Sequence, residues 1–272
     1  MAATFSLSPS VDFVENDQTN FIPAVAVSVG CMAGSFVWGP ADEITILTNE
    51  QDILNQFGKP TNSNFADWFT AANYLAYTSN LKLVRAVGTG ALNSTIQLDS
   101  NSRAVGGSGL LIKNINDLVN VVFTNQLFVA KCPGAYGNNV GIAWANTATF
   151  NAADSNLQPT WEFHDVFDGA PAASEVNIAV YDATGVISGT VGTILERFPY
   201  VSTVAGTKRL DGTSAFIADV LNNESEWIWM GDVSRFLLAT ADLDGVTFTG
   251  GADGATLTDG QRRRILSIPC RR

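Results

Sequence analysis

The chain has 272 residues, 46% of them hydrophobic, and its 26 acidic and 15 basic side chains give a formal net charge of −11. That apolar content can close a substantial core, which excludes a disordered chain, and the acidic balance excludes broad attraction to phosphate backbones. With His164 as its single histidine and Cys31, Cys132 and Cys270 far apart, the sequence offers neither a multi-histidine metal site nor a disulfide framework, and it fits free thiols in a reducing compartment.

At the start of the chain, Phe5, Leu7, Val11 and Phe13 fall at alternate positions around Pro9. Period two describes a strand with one apolar face, and a proline that cannot donate to a ladder restricts it to an edge or to an arm laid on another sheet. Residues 1–22 therefore read as an extended N-terminal arm, with these four side chains as candidate intersubunit contacts. The basic start and apolar run of a secretory signal are missing. Residues 21–41 are uncharged, but Pro23, Pro40 and several glycines interrupt them, so they do not read as a membrane span. Within them residues 24–29 alternate as a short buried strand, and residues 30–39 read as a glycine-rich turn segment.

Thr48 then opens a helix with Gln51 in capping-box position, and Gly58 and Pro60 end it. The spacing predicts a second helix over 65–77 that turns Phe65, Trp68, Phe69, Ala72, Leu75 and Ala76 to the core. A buried strand follows at 81–87, and residues 88–109, rich in Ser, Gly and Asn, read as a surface excursion or a subdomain junction. Strands are expected near 126–130, 140–146, 160–166, 176–182 and 194–201. Thr213 and Ser214 can cap a helix whose Ile217, Val220 and Leu221 face inward, and residues 226–230 form the next strand. The fold class is α+β, a mixed helix/strand body with a β-rich middle and an extended N-terminal arm. Residues 1–22 are the arm, 23–250 the body, with 91–205 readable as a β-rich subdomain, and 251–272 a linker and arginine-rich tail. That tail holds Arg262, Arg263, Arg264, Arg271 and Arg272 and no acid. It reads either as a nucleic-acid or membrane arm or as a processing or truncation scar.

Reactive motifs are lacking. His164 has no Gly-x-Ser-x-Gly elbow to serve, Gly206-Thr207-Lys208 lacks the order of a phosphate loop, and Gly88-Thr89-Gly90 lacks the third glycine of a dinucleotide turn. Asp242, Asp244 and Gly245 resemble part of a calcium loop, but Thr240 and Gly251 stand where an EF-hand carries Asp and Glu. Asn93-Ser94-Thr95 and Asn223-Glu224-Ser225 fit the glycosylation sequon, which has no use without export. No catalytic activity, bound metal or cofactor is expected, and a structural or binding role is favoured.

Three groups of residues carry a resemblance. The first is Ala33-Gly34-Ser35-Phe36-Val37-Trp38-Gly39-Pro40-Ala41, followed by Ile46-Leu47-Thr48-Asn49-Glu50, Phe57-Gly58 and Leu83-Val84-Arg85-Ala86-Val87. The second is Ala130-Lys131-Cys132-Pro133-Gly134-Ala135-Tyr136-Gly137-Asn138. The third runs from Val176 through Leu195-Glu196-Arg197-Phe198 and Val201-Ser202 to Phe216 and Ser225. Taken in order over roughly 20 to 250, they resemble the sheath proteins of contractile phage tails; each alone is a weak motif.

The resemblance implies a non-enzymatic virion subunit, assembled in the host bacterial cytoplasm and forming a homo-oligomer of hexameric rings stacked into a helical sheath. Its partners would be tail tube and baseplate proteins, with no direct contact to nucleic acid or membrane. It implies contraction by repacking of subunits, without a nucleotide at firing, and it assigns the arm residues the part of connectors between subunits. The family continues past a segment like Phe248-Thr249-Gly250-Gly251-Ala252-Asp253-Gly254 into a C-terminal domain, whereas residues 262–272 do not match, so a longer natural product is expected. The competing reading is a free β-rich carbohydrate-binding or adhesion module that uses Trp144, Trp161, Trp227 and Trp229 as a sugar platform. A hydrolase built on His164 and Asp165 stands third.

Overall fold

The computed structural model describes residues 29–154, 156–239, 243–258 and 260. In chain order the described elements are β1 (Gly30–Gly34), β2 (Ile44–Leu47), α1 (Glu50–Phe57), α2 (Phe65–Leu75), β3 (Leu81–Arg85), β4 (Thr95–Leu98), β5 (Ala104–Gly106), α3 (Ile115–Leu118) and β6 (Gln126–Ala130). They continue with β7 (Val140–Ala145), α4 (Thr147–Phe150), β8 (Glu175–Asp182), β9 (Ile194–Ser202), α5 (Ile217–Glu224), β10 (Ile228–Met230), α6 (Val233–Phe236) and β11 (Leu243–Thr247). The α+β class is borne out. The N-terminal arm, residues 24–28 of the first predicted strand, Asp242, Cys270 and the arginine-rich tail lie outside the described residues.

Three sheets organise the described residues, in orders β1-β3-β2, β10-β6-β4-β5 and β11-β7-β8-β9. The first is mixed, with β1 parallel and β2 antiparallel to β3, and α1 and α2 close one face over Leu47, Ile53, Phe57, Trp68, Leu75 and Leu83. The other two are antiparallel and share the main core. All of β7 is buried, and its period-two alternation divides it between two cores. Val140, Ile142 and Trp144 face the main core, while Ala143 and Ala145 join Ala179 beneath Phe150, Trp161, Phe163 and Phe167. Alanines on that side leave the height that an aromatic layer needs.

Several local expectations are corrected. A strand, β1, runs through residues 30–34, which read as turn. Its first glycine, Gly30, lets α2 approach closely, since a Cβ there would overlap the end of the Tyr74 ring. The cap of α1 is Asn49, whose side chain accepts from the Asp52 amide at 2.9 Å, and Asp52 in turn accepts from the Thr48 amide and hydroxyl. The reciprocal cap thus pairs Asp52 with Thr48, and Gln51 has no part in it. Gly58 ends α1 at φ 78, as expected. In α2 the inward residues are Trp68, Ala71 and Leu75, whereas Phe65 and Phe69 face outward.

Residues 88–109 are not a surface excursion. They contain β4 and β5, and Asn93, Ser94 and Thr95 are fully buried. Residues 160–166 are not a strand either. They lie across the alanine face of β7 and β8 as part of the aromatic layer, with a 3-10 turn at His164–Val166. Strands β6 to β10 and the inward face of α5 fall close to their predicted places.

Residues 251–255 are hydrogen-bonded into the body. Leu92 and Ala252 exchange backbone hydrogen bonds of 2.9 Å, and the Ala255 amide donates to the Thr89 carbonyl. The approach is so close that a Cβ on Gly88 would overlap the Ala255 carbonyl oxygen. Gly88→Ala is expected to destabilise the fold by about 2–3 kcal/mol through overpacking against backbone that cannot yield. Urea unfolding should show a lower midpoint at an unchanged slope.

Candidate functional site

Parts of the first two groups singled out by their resemblance meet at one side chain. Arg85 ends β3, the central strand of the first sheet, and is 2% exposed. Its Nε donates to the Phe36 carbonyl at 2.8 Å, Nη1 to Gly39 at 2.7 Å, and Nη2 to Val37 at 3.3 Å and to Pro133 at 2.6 Å. A planar guanidinium with five N–H donors suits this task, since it can reach carbonyls of two separate loops at once. Burial pushes its pKa down to about 10, opposed by the Asp253 carboxylate, so it is a cation at neutral pH. The neighbouring Cys132 thiol is pushed up to about 11 by burial and is therefore protonated.

The loop that follows is held from the other side. Gly134 has φ 133, and a Cβ there would press on Asp253 and on Arg85. The Ala135 amide donates to Asp253 Oδ1 at 2.8 Å. Asn138 and Gly251 form a reciprocal pair, Asn138 Nδ2 donating to the Gly251 carbonyl at 3.0 Å and the Gly251 amide to Asn138 Oδ1 at 2.9 Å. Trp38 stacks on Trp227 with centroids 5.1 Å apart and tilts against Tyr136. Residues 33–41, 83–87, 130–138 and 248–254 are thus one junction. Its hydrogen bonds are internal, and its chemistry is that of a clamp.

A second hub was not foreseen. Asn93 is fully buried; its Nδ2 donates to the carbonyls of Ile112 and Ala130, and its Oδ1 accepts from the Ile112 amide. Read as a sequon, Asn93 gave no sign of this, because its partners are backbone groups 19 and 37 residues away. A third is Asp182, whose carboxylate holds the loop between β8 and β9.

A cleft of about 630 Å³ opens between α1, α3 and β10, lined among others by Trp38, Asn55, Gln56, Lys131, Trp227 and Trp229. Its cation is engaged from within. Lys131 donates to the Ser225 carbonyl and lies 4.5 Å over the Trp229 ring, and burial lowers its pKa. Behind it, burial raises the pKa of Glu196, which nonetheless accepts from the Ser225 hydroxyl and the Glu226 amide, both at 2.6 Å.

The four tryptophans do not form a platform. Trp144 and Trp161 are buried in two different core clusters, while Trp227, stacked on Trp38, and Trp229, beneath Lys131, share only the wall of the cleft. His164 Nδ1 lies 2.9 Å from Asp165 Oδ1, but the Asp165 side chain is 98% exposed and the imidazole lies against the Phe150 ring. That is an adjacent-residue pair in a turn, without the buried orienting carboxylate of a catalytic triad. Among the described residues no group of three or more His, Cys, Asp or Glu side chains could hold a metal ion, and no helix is long and apolar enough to cross a membrane. The arm residues Phe5, Leu7, Val11 and Phe13 lie outside the described residues.

No protein-family model matches the chain. It is 30% identical to the tail sheath protein of Salmonella phage ViI over 214 residues, which are 77% of this chain and 31% of that protein. It is 34% identical to the tail sheath protein of Enterobacteria phage T4 over 122 residues, 41% of this chain and 18% of that protein. Among solved structures, a sheath tail protein of Listeria innocua aligns at 12% identity and a TM-score of 0.48, over 89% of this chain and 38% of its own. The chain thus spans about a third of the length of the ViI relative. The resemblance to phage tail sheath proteins read from the motifs is borne out by these relatives.

Proposed function

We propose that this chain forms the body of a structural subunit of a contractile tail sheath, polymerising in stacked hexameric rings around a tail tube and shortening to drive the tube through a host envelope. The observation that carries the reading is that the first two sheath-like groups, together with residues 248–254, converge on a buried clamp, the Arg85 junction, and not on a reactive cleft. A subunit that stores energy in its contacts with neighbours must pass load between packed arrangements without deforming, and bistable repacking needs rigid bodies. The subunit is non-enzymatic and needs no cofactor. Its partners are further copies of itself, the tube and the baseplate, in a virion tail assembled in the host cytoplasm. Immunogold labelling of intact particles with antibodies to this chain tests the reading. Labels should follow the tail shaft along its length and crowd together in contracted particles; labels confined to fibres, or absent, would sink it.

The arm serves this function as a connector. The alternate spacing of Phe5, Leu7, Val11 and Phe13 reads as one apolar face of an extended strand, and strand addition to a neighbour would satisfy both their side chains and the main chain. Deleting residues 1–20 should leave the circular dichroism spectrum unchanged and abolish incorporation into sheath. Normal polymerisation of the truncated protein would dismiss the connector role.

A further inference from the structure

Helix α2 is apolar on both sides. Its inward residues Trp68, Ala71 and Leu75 cover the first sheet, yet its outer surface exposes 56% of Phe65 and 50% of Phe69, and Tyr77 just beyond the helix is 94% exposed. The exposed Thr70, Asn73 and Ala76 between them carry no charge. The one charged side chain of the helix, Asp67, accepts from the Ser35 amide and hydroxyl at 2.8 and 2.9 Å. Helices with apolar residues all round are found where both sides are covered.

We infer that this outer face of α2 docks a second copy of the same chain. Three arguments select that occupant. At ~150–250 Å² for a whole aromatic side chain, the exposed fractions of Phe65, Phe69 and Tyr77 amount to about 400 Å², near half of what each partner contributes to a standard interface. A chain of net charge −11 repels its own copies over most of its surface, and an uncharged face is where two of them can approach without opposing carboxylates. A basic partner, in contrast, would select a face carrying acids. The chain also supplies a counterpart. Ile115, Val119 and Val122 form a second exposed apolar strip, 42%, 81% and 83% accessible, and two unlike patches on one molecule are what a head-to-tail contact between copies requires. For its biological setting the inference rests on the sheath reading; for its physics it rests on the exposed side chains alone.

The test uses the full chain. Sedimentation velocity over a concentration series should show reversible self-association that Phe69→Asp and Tyr77→Asp each weaken tenfold or more. Tyr77, outside the helix, provides a variant whose thermal unfolding should match that of the parent. Replacing Tyr77 with the photo-crosslinker p-benzoylphenylalanine in a mixture of ordinary and nitrogen-15-labelled chains should give crosslinks between differently labelled copies. A parent that stays monomeric, variants that associate as well as the parent, or crosslinks only within one chain, for instance to residues 1–28, would overturn the inference. Because particle labelling is read separately, self-association through α2 by a chain absent from tail shafts would remove the sheath reading and leave the surface standing.

Discussion

Arg85→Met is expected to lower the unfolding free energy of the chain by about 4 kcal/mol, with a fall in Tm of about 10 °C. Methionine fills much of the volume of the stem, so the loss isolates the hydrogen bonds from the packing. Four carbonyls, those of Phe36, Val37, Gly39 and Pro133, then lose this donor, three of them in fully buried hydrogen bonds. Each buried group left unpaired costs ~1–3 kcal/mol, partly recovered as the loops relax toward water. Offsetting this, the mutant no longer desolvates a cation, a cost visible in the downward shift of the Arg85 pKa to about 10. The carbonyls prevail because there are four of them, drawn from two loops that the guanidinium ties directly to each other. Arg85→Lys should recover only part of the loss, since an ammonium offers three donors from one atom and cannot span both loops. Chemical denaturation of the three proteins checks this; an Arg85→Met chain within 1 kcal/mol of the parent would show that the guanidinium is not the clamp.

The same side chain shows where reading the sequence stops. Residues 81–87 were legible as a strand because Leu81, Leu83 and Val84 are apolar and close together, but the arginine within that run gave no hint of its partners. All four acceptors are backbone carbonyls, which have no letter in a sequence. Strands marked by a continuous apolar run, as in β6, or by apolar alternation, as in β8, were legible almost to the residue. Those whose burial depends on polar satisfaction were not. Asn93 and Ser94 lead into β4, which opens on Thr95, a string that ordinarily marks a surface loop. Asn93 and Thr95 are buried because Leu110, Thr249 and Ser108 meet their backbone and side-chain groups from elsewhere in the chain, and the Ser94 carbonyl accepts from the Ala130 amide. The error in α2 has another origin. Its apolar residues are too many for one face, and periodicity alone could not tell which half meets the sheet. The resemblance located the junction segments as strings, and packing made them one site.

Acid should release the loop between β8 and β9 before it unfolds the rest. Asp182 is buried, and its Oδ1 accepts from the amides of Thr184 at 3.2 Å and Gly185 at 2.8 Å. Its Oδ2 accepts from the amides of Ile187 at 3.0 Å and Ser188 at 2.8 Å and from the Ser188 hydroxyl at 2.9 Å. Burial, the largest single influence, pushes the carboxyl up, but the Ser188, Gly185 and Thr184 donors together hold it below the usual aspartate range. A folded-state pKa lowered in this way contributes stability that is fully present above the unfolded value of ~3.9 and drains away as pH falls through the folded value. Hydrogen exchange at Gly185, Ile187 and Ser188 should therefore accelerate below about pH 4 while amides of β7 stay protected. Asp182→Ala brings the same release to neutral pH, at a cost of about 3 kcal/mol for charge-assisted bonds lost together. Asp182→Asn keeps one acceptor, loses the charge, and should cost about half as much while abolishing the acid dependence of those three amides. Loop exchange that stays acid-sensitive in the asparagine variant would assign the transition to another carboxylate and leave Asp182 as packing alone.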